Sequence, residues 1–177
     1  ARAVPPPNRP TRHRSFALGP HLGPSLLPNR ATAGGLAPPL LGCDGIQADG
    51  DLKRGCAAAT GDFATALGAP TDSLDSAKTF LADYKAAGYA EAADPYGAAA
   101  YDAANAIIKA LAKASADGGK TGQALRDEVT KEVQDSDFDG VTGHISFDQF
   151  GDTNSKVLTV STVKGATFVP AKTGTFK

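Results

Sequence analysis

Three short stretches of this 177-residue chain carry side chains whose type and spacing suit chemistry. Asp135-Ser-Asp137-Phe-Asp139-Gly140 sets carboxylates at alternate positions before a glycine, the opening half of an EF-hand calcium loop, and a helical pattern precedes it. The closing half departs from that loop. Its twelfth position is Ser146, where a bidentate Glu should complete the coordination, and its eighth is Thr142, where an apolar residue should sit. Calcium binding at 135–146 is therefore carried as an alternative to a solvated acidic turn leading into a strand. Gly119-Lys120-Thr121 imitates the end of a phosphate-binding loop, but position 114 is Ala and a helix precedes it where a strand is required. A turn joining two helices accounts for it. The third stretch, residues 36–46 (LAPPLLGCDGI), is a short apolar run closed by Gly-Cys-Asp-Gly, which reads as a buried strand ending in a tight turn. It leaves Asp44 at the carboxyl end of that strand, the edge at which open α/β sheets hold ligands. Asp44 has a second reading, simple formation of the turn before Gly45.

Nothing else points to catalysis. His144 lacks a sequence neighbour that suggests a nucleophile or a metal, and it reads as a strand side chain facing solvent. No nucleophile elbow, zinc-binding His-Glu helix or paired catalytic carboxylates occur, so the chain is expected not to be an enzyme and to need no cofactor or metal. Cys43 and Cys56 are too few for a disulfide framework and lack a zinc spacing. They either pair with each other in an oxidising compartment or remain buried thiols.

The elements that would position these residues lie in one part of the chain. Residues 1–43 hold five Arg, no Lys and no acid, whereas all nineteen acids and all eleven Lys follow from Asp44 onward. A Pro/Arg-rich segment with few branched apolar residues buries too little surface to offset its ordering entropy, so residues 1–35 are expected to be a disordered or non-native arm. A basic arm for nucleic acid or anionic lipid is the sharper reading, but five scattered Arg without Lys or interleaved aromatics make a weak footprint. The chain contains no Met, so Ala1 is expected to follow processing, cloning or truncation. No apolar run approaches the length that spans a bilayer.

From residue 36 the pattern is mixed α/β. Residues 63–67 form a short strand, and a helix follows with Ala77, Phe80, Leu81 and Tyr84 on one face, Ser73 or Asp75 as cap and Gly88 as stop. A second helix has Asp94 as N-cap and Pro95 at its first position and runs through Ile107, Ile108 and Leu111 to Asp117-Gly118-Gly119. A third covers about 122–134, with Leu125, Val129 and Val133 in one stripe. After Gly140 the period becomes two, placing Val141, Gly143, Ile145 and Phe147 on one strand face. A turn at Gly151-Asp152, a strand near 157–163, a turn at Lys164-Gly165 and an extended piece at 168–170 complete the chain.

Five strings in order then suggest a family: Pro39-Leu-Leu-Gly-Cys-Asp-Gly-Ile46, Gly68-Ala-Pro-Thr-Asp-Ser73, Ala77-Lys-Thr-Phe-Leu-Ala-Asp-Tyr-Lys85, Tyr96-Gly-Ala-Ala-Ala-Tyr-Asp-Ala-Ala104 and Asp137-Phe-Asp-Gly-Val-Thr-Gly-His-Ile-Ser-Phe-Asp148. Together they resemble the branched-chain amino-acid-binding proteins of bacterial ABC importers, over residues 36–177 and matching the C-terminal part only. The resemblance implies a partial two-lobed periplasmic-binding-protein type I fold, with helices packed on a β-sheet and C-terminal β-hairpin strands. It also implies a truncated solute-binding component for branched-chain or related amino acids. Its partners would be a small-molecule amino acid and ABC permease subunits in the membrane, with no nucleic acid. Its location would be extracytoplasmic, in the periplasm or at the cell surface, with lipid anchoring conceivable in the full-length parent. By position, Asp44 matches the acid that meets the ligand's α-ammonium, and Tyr96 matches an aromatic beside the ligand's side chain; ordinary helix packing is the other reading of Tyr96. The sequence departs from the family in residues 1–35, at Cys43, where Gly is usual, and across 48–60. A non-catalytic α/β interaction module without a small ligand is the competing class.

Overall fold

The computed structural model describes residues 15–17, 40–47, 60–90, 93, 96–116, 118–165 and 167–176. Alternation decides its strands. β3 (Phe63–Leu67) buries Ala64 and Ala66 and exposes Phe63 and Leu67, the period-two pattern of a pleated strand with unlike faces. It pairs in parallel with β2 (Leu40–Gly42), which pairs in parallel with β1 (Ser15–Ala17). β6 (Val157–Lys164) and β7 (Thr167–Thr175) complete a five-stranded sheet in the order β1-β2-β3-β6-β7. Gly165 turns β6 into β7 with φ +63°, a conformation that costs glycine little. Strand β7 is longer than the 168–170 piece expected from the sequence, and its place at the sheet's edge is what tolerates Pro170, which lacks an N–H for the ladder.

The chain divides into two compact units, residues 1–66 with 160–172 and residues 67–159 with 173–177. It passes from one to the other inside β3, β6 and β7. In the first unit, Ile46 and Ala64 are buried with Phe168 against them, and Val163 packs on the same ring. In the second, the buried Thr159 hydroxyl donates to the Gly68 carbonyl at 2.8 Å and lies 2.9 Å from the Thr173 hydroxyl, so one side chain ties together the ends of three strands.

Helices α1 (Lys78–Ala86), α2 (Gly97–Ser115) and α3 (Gly122–Gln134) belong to the second unit. Ala98, Asp102, Ala106, Ala110 and Ala114 form the buried row of α2, one residue every four, and α2 packs against α3. Alanine permits that close approach at no cost in helix propensity. The half-buried Leu125, Val129 and Val133 of α3 follow the expected stripe. Phe80 of α1 packs on Tyr101 of α2 with ring centroids 5.2 Å apart.

Two sequence expectations need correction. Neither Ser73 nor Asp75 caps α1. Two 3-10 turns, Thr71–Ser73 and Asp75–Ala77, lead into the helix instead, and the Ser73 hydroxyl donates back to the Pro70 carbonyl. Gly88, with φ +71°, does end the helix. Asp94 and Pro95, expected at the start of α2, lie outside the described residues, as does most of the 1–35 arm. The second correction concerns 137–147. β4 (Asp137–Gly140) pairs antiparallel with β5 (Gly143–Ser146), Asp139 opposite His144, so the acidic run is itself a strand and Val141-Thr142 is its turn.

Ion pairs decorate the α2–α3 side. Lys113 pairs with Glu132, and Lys120 Nζ lies 3.0 Å from Glu128. Hydrogen bonding from Lys120, then its charge, lowers the Glu128 pKa from the ordinary 4.5. A depressed carboxylate adds stability above its unfolded-state pKa and loses it as pH falls through the folded value. The Glu128 side-chain resonance should accordingly titrate below 4.5, and Lys120→Met should return its midpoint toward that value. Both groups lie at the surface, so the effect on stability is small.

Candidate functional site

The strand-end turn around Asp44 is built by its neighbours. β2 stops at Gly42, Cys43 is extended, and residues Asp44–Ile46 make one 3-10 turn closed by Ile46 N–H donating to Cys43 O at 3.2 Å and Gln47 N–H donating to Asp44 O at 2.9 Å. Both bonds are backbone to backbone, so the Asp44 side chain does not build the turn. This weakens the simple turn-forming reading of that residue. The carboxylate is exposed and, among the described residues, has no hydrogen bond or ion pair. It is an acceptor presented to solvent at the end of a strand.

Gly42 makes that geometry possible. A Cβ there would lie 2.2 Å from Ile46 Cδ1 and 2.7 Å from Cγ1. The turn folds Ile46 back over Gly42 and into the core, leaving Asp44 on the outside. Gln47 continues the turn with its amide donating to the buried Ser161 hydroxyl at 3.4 Å. Cys43 is half-buried with a free thiol, and its expected alternative partner Cys56 lies outside the described residues.

Tyr96 stands immediately before α2, with 36% of its surface exposed, and its carbonyl accepts from Ala100 N–H at 2.9 Å. Asp44 belongs to the first compact unit and Tyr96 to the second.

A third position, which the sequence reading passed over, organises the second unit. Asp102 is 3% exposed, and its carboxylate accepts from Val141 N–H at 2.8 Å and from the Thr142 N–H and hydroxyl at 2.7 Å each. The Val141 carbonyl accepts from the Ser76 hydroxyl at 2.6 Å, so the β4–β5 turn is held from both sides. A signal was present: Asp102 is the one charged residue in a row that otherwise reads Ala98, Ala106, Ala110 and Ala114, and a buried charge needs partners.

The calcium reading does not survive the strand. Asp137 and Asp139 project outward from β4, and the exposed His144 lies between them, 3.0 Å from Asp139 and 3.4 Å from Asp137. An EF-hand loop instead curls its carboxylates onto one centre. No cluster of three or more His, Cys, Asp or Glu able to hold a metal occurs among the described residues. No helix among them is long and apolar enough to cross a membrane.

No protein-family model matches the chain, and no curated protein sequence does. Solved structures do. A leucine-binding protein from Thermotoga maritima matches with a TM-score of 0.74 at 22% identity, over 90% of this chain and 44% of its own. The branched-chain amino-acid transporter substrate-binding protein of Streptococcus pneumoniae, in complex with isoleucine, matches at 0.68 and 23%, over 93% and 44%. An ABC-transporter solute-binding protein of R. palustris, in complex with benzoate, matches at 0.68 and 20%, over 92% and 43%. The chain thus has part of the type I periplasmic-binding-protein fold and spans less than half the length of these proteins.

Proposed function

We propose that this chain is part of an extracytoplasmic solute-binding component of an ABC importer, that its ligand is an amino acid, and that Asp44 receives the ligand's α-ammonium. The single observation that carries the ligand class is the Asp44 carboxylate, exposed, without a partner among the described residues and held at a strand's carboxyl end by backbone bonds alone. Proteins of this fold take both amino acids and benzoate. Only the first carries a cation for a carboxylate to meet. A charge-assisted hydrogen bond between carboxylate and ammonium is about twice as strong as a neutral one.

Tyr96 would contribute an apolar ring face with a polar tip toward the ligand's side chain. The role is binding without transformation, through closure of two lobes on the solute, and the partner of the closed form is a membrane permease. These statements concern the longer fold of which this chain spans a part.

A melting series tests the ligand class. Leucine, isoleucine or valine at millimolar concentration should raise the melting temperature, by mass action on the folded state. 4-Methylpentanoate, which is leucine without its amino group, should not, and neither should benzoate. A shift by the deaminated acid equal to that by leucine would remove the ammonium from the account and Asp44 with it.

A further inference from the structure

Asp-Gly occurs at 44–45, 49–50, 117–118 and 139–140, and the first and last of these pairs lie wholly among the described residues. The dipeptide carries its own reaction. The glycine's backbone nitrogen can attack Cγ of the preceding aspartic acid, because glycine has no side chain to obstruct the approach or to restrict the backbone rotation it needs. The N–Cγ bond forms and the acid's Cγ–O bond breaks; the hydroxyl leaves with the amide proton as water, and a five-membered succinimide results. Water then adds back. Addition at Cγ restores aspartate, whereas addition at the main-chain carbonyl yields isoaspartate, in which the chain runs through Cγ and the former main-chain carbonyl becomes the free carboxylate. No oxidant or other co-reactant is needed.

The two pairs share this chemistry and differ in surroundings. Asp44 is exposed, with no partner for its carboxylate among the described residues. Gly45 is exposed too, and its N–H takes part in neither backbone bond that closes the turn, as is usual for the N–H groups that open a helical turn. Rotating the Asp44–Gly45 peptide to bring nitrogen toward Cγ breaks a single hydrogen bond, Gln47 N–H to Asp44 O. Asp139 is held far more firmly. Its carboxylate lies 3.0 Å from His144 Nδ1, and Asp139 and Gly140 pair with His144 and Gly143 in the β4–β5 ladder. Gly140 packs so closely on Asp102 that a Cβ there would lie 2.7 Å from the carboxylate, which also accepts from the N–H groups of Val141 and Thr142. The same rotation at 139–140 would have to open the hairpin and release that clip.

We propose that Asp44 is a site of spontaneous isomerisation to isoaspartate, and that the fold protects Asp139 from the same reaction. The modification does not depend on what Asp44 binds. Its consequence does, and rests on the ammonium reading above: isoaspartate adds one carbon to the chain within the turn and moves the carboxylate, so a modified molecule no longer presents the acceptor. Binding then declines with the age of the protein.

Ageing the full chain at neutral pH in heavy-oxygen water tests it, with peptides covering each pair read by mass spectrometry. Every round of ring closure and opening places one solvent oxygen in the residue, and isoaspartate is identified by its distinct backbone fragments. Uptake at Asp44 should be at least about tenfold faster than at Asp139, a difference of about 1.4 kcal/mol in barrier. In denaturant the two rates should become equal. Gly45→Ala, a change that suits an exposed position inside a 3-10 turn, sets a methyl group beside the attacking nitrogen and should slow Asp44 severalfold while leaving Asp139 unaltered. No uptake at Asp44, equal uptake at both positions in the folded chain, a gap that persists in denaturant, or Gly45→Ala without effect would each overturn the proposal. Leucine should slow the reaction at Asp44 alone; if it does not while the other results hold, the ammonium reading falls and the modification stands.

Discussion

Asp102→Ala should destabilise the chain by about 3 kcal/mol, seen as a lower denaturant midpoint with an unchanged slope. The residue is buried, and its carboxylate is the acceptor for three donors, the N–H groups of Val141 and Thr142 and the Thr142 hydroxyl. Hydrogen bonds to a charged group contribute about 1.5–3 kcal/mol each, and the alanine variant would leave two partly buried backbone donors unpaired. Asn at 102 should recover less than half of the loss. Its single carbonyl oxygen can replace one acceptor, while its NH2 would face donors. Gly140 shows how tight the fit is, since a Cβ there would lie 2.7 Å from all three atoms of the carboxylate. A loss under about 1 kcal/mol for Asp102→Ala would mean that the turn is held by something else.

Gly42→Ala should cost about 2–3 kcal/mol although it adds only one methyl group. The added carbon would sit 2.2 Å from Ile46 Cδ1, and Ile46 cannot retreat without leaving the core it shares with Ala64 and Phe168. The expected signature is coupling between the two positions. Ile46→Val, which removes Cδ1, should be mildly destabilising alone and should restore part of the stability of Gly42→Ala, a non-additivity that a double-mutant cycle measures. Because the same fold-back of Ile46 leaves Asp44 outside, Gly42→Ala should weaken ligand binding as well. Additive effects would show that the clash is relieved elsewhere and that the turn does not depend on it.

Much of the fold was legible because local pattern and final structure agree. β3 occupies the five residues 63–67 read as a strand, and α3 runs from Gly122 to Gln134, the span expected around the stripe of Leu125, Val129 and Val133. The strand-then-turn at 40–46 was legible too, since an apolar run meeting Gly-Cys-Asp-Gly has few other solutions, but the strand was expected to be buried and its Leu41 is exposed. What escaped depends on partners far along the chain. β4 is a strand because β5 lies beside it; alone, Asp-Phe-Asp-Gly offers one apolar residue and looks like a loop. The lead into α1 was misread because Ser73 and Asp75 are good capping residues whose side chains go elsewhere, to the Pro70 carbonyl and to an exposed pair with Lys78. For the candidate site, the sequence placed Asp44 at a strand end but could not show that Gly42 must lack a side chain, because that follows from where Ile46 comes to rest. Asp102 was hidden inside an alanine-rich helix whose inner face only the packing reveals.

The most direct test of the central claim is calorimetric titration of leucine into the full chain and into Asp44→Asn, a change that keeps the shape of the side chain and removes its charge. The account predicts saturable binding by the parent chain, weakened at least about thirtyfold in the variant, corresponding to about 2 kcal/mol for the lost ammonium contact. Leucine bound as tightly by Asp44→Asn as by the parent, or not bound by the parent at all, would contradict it.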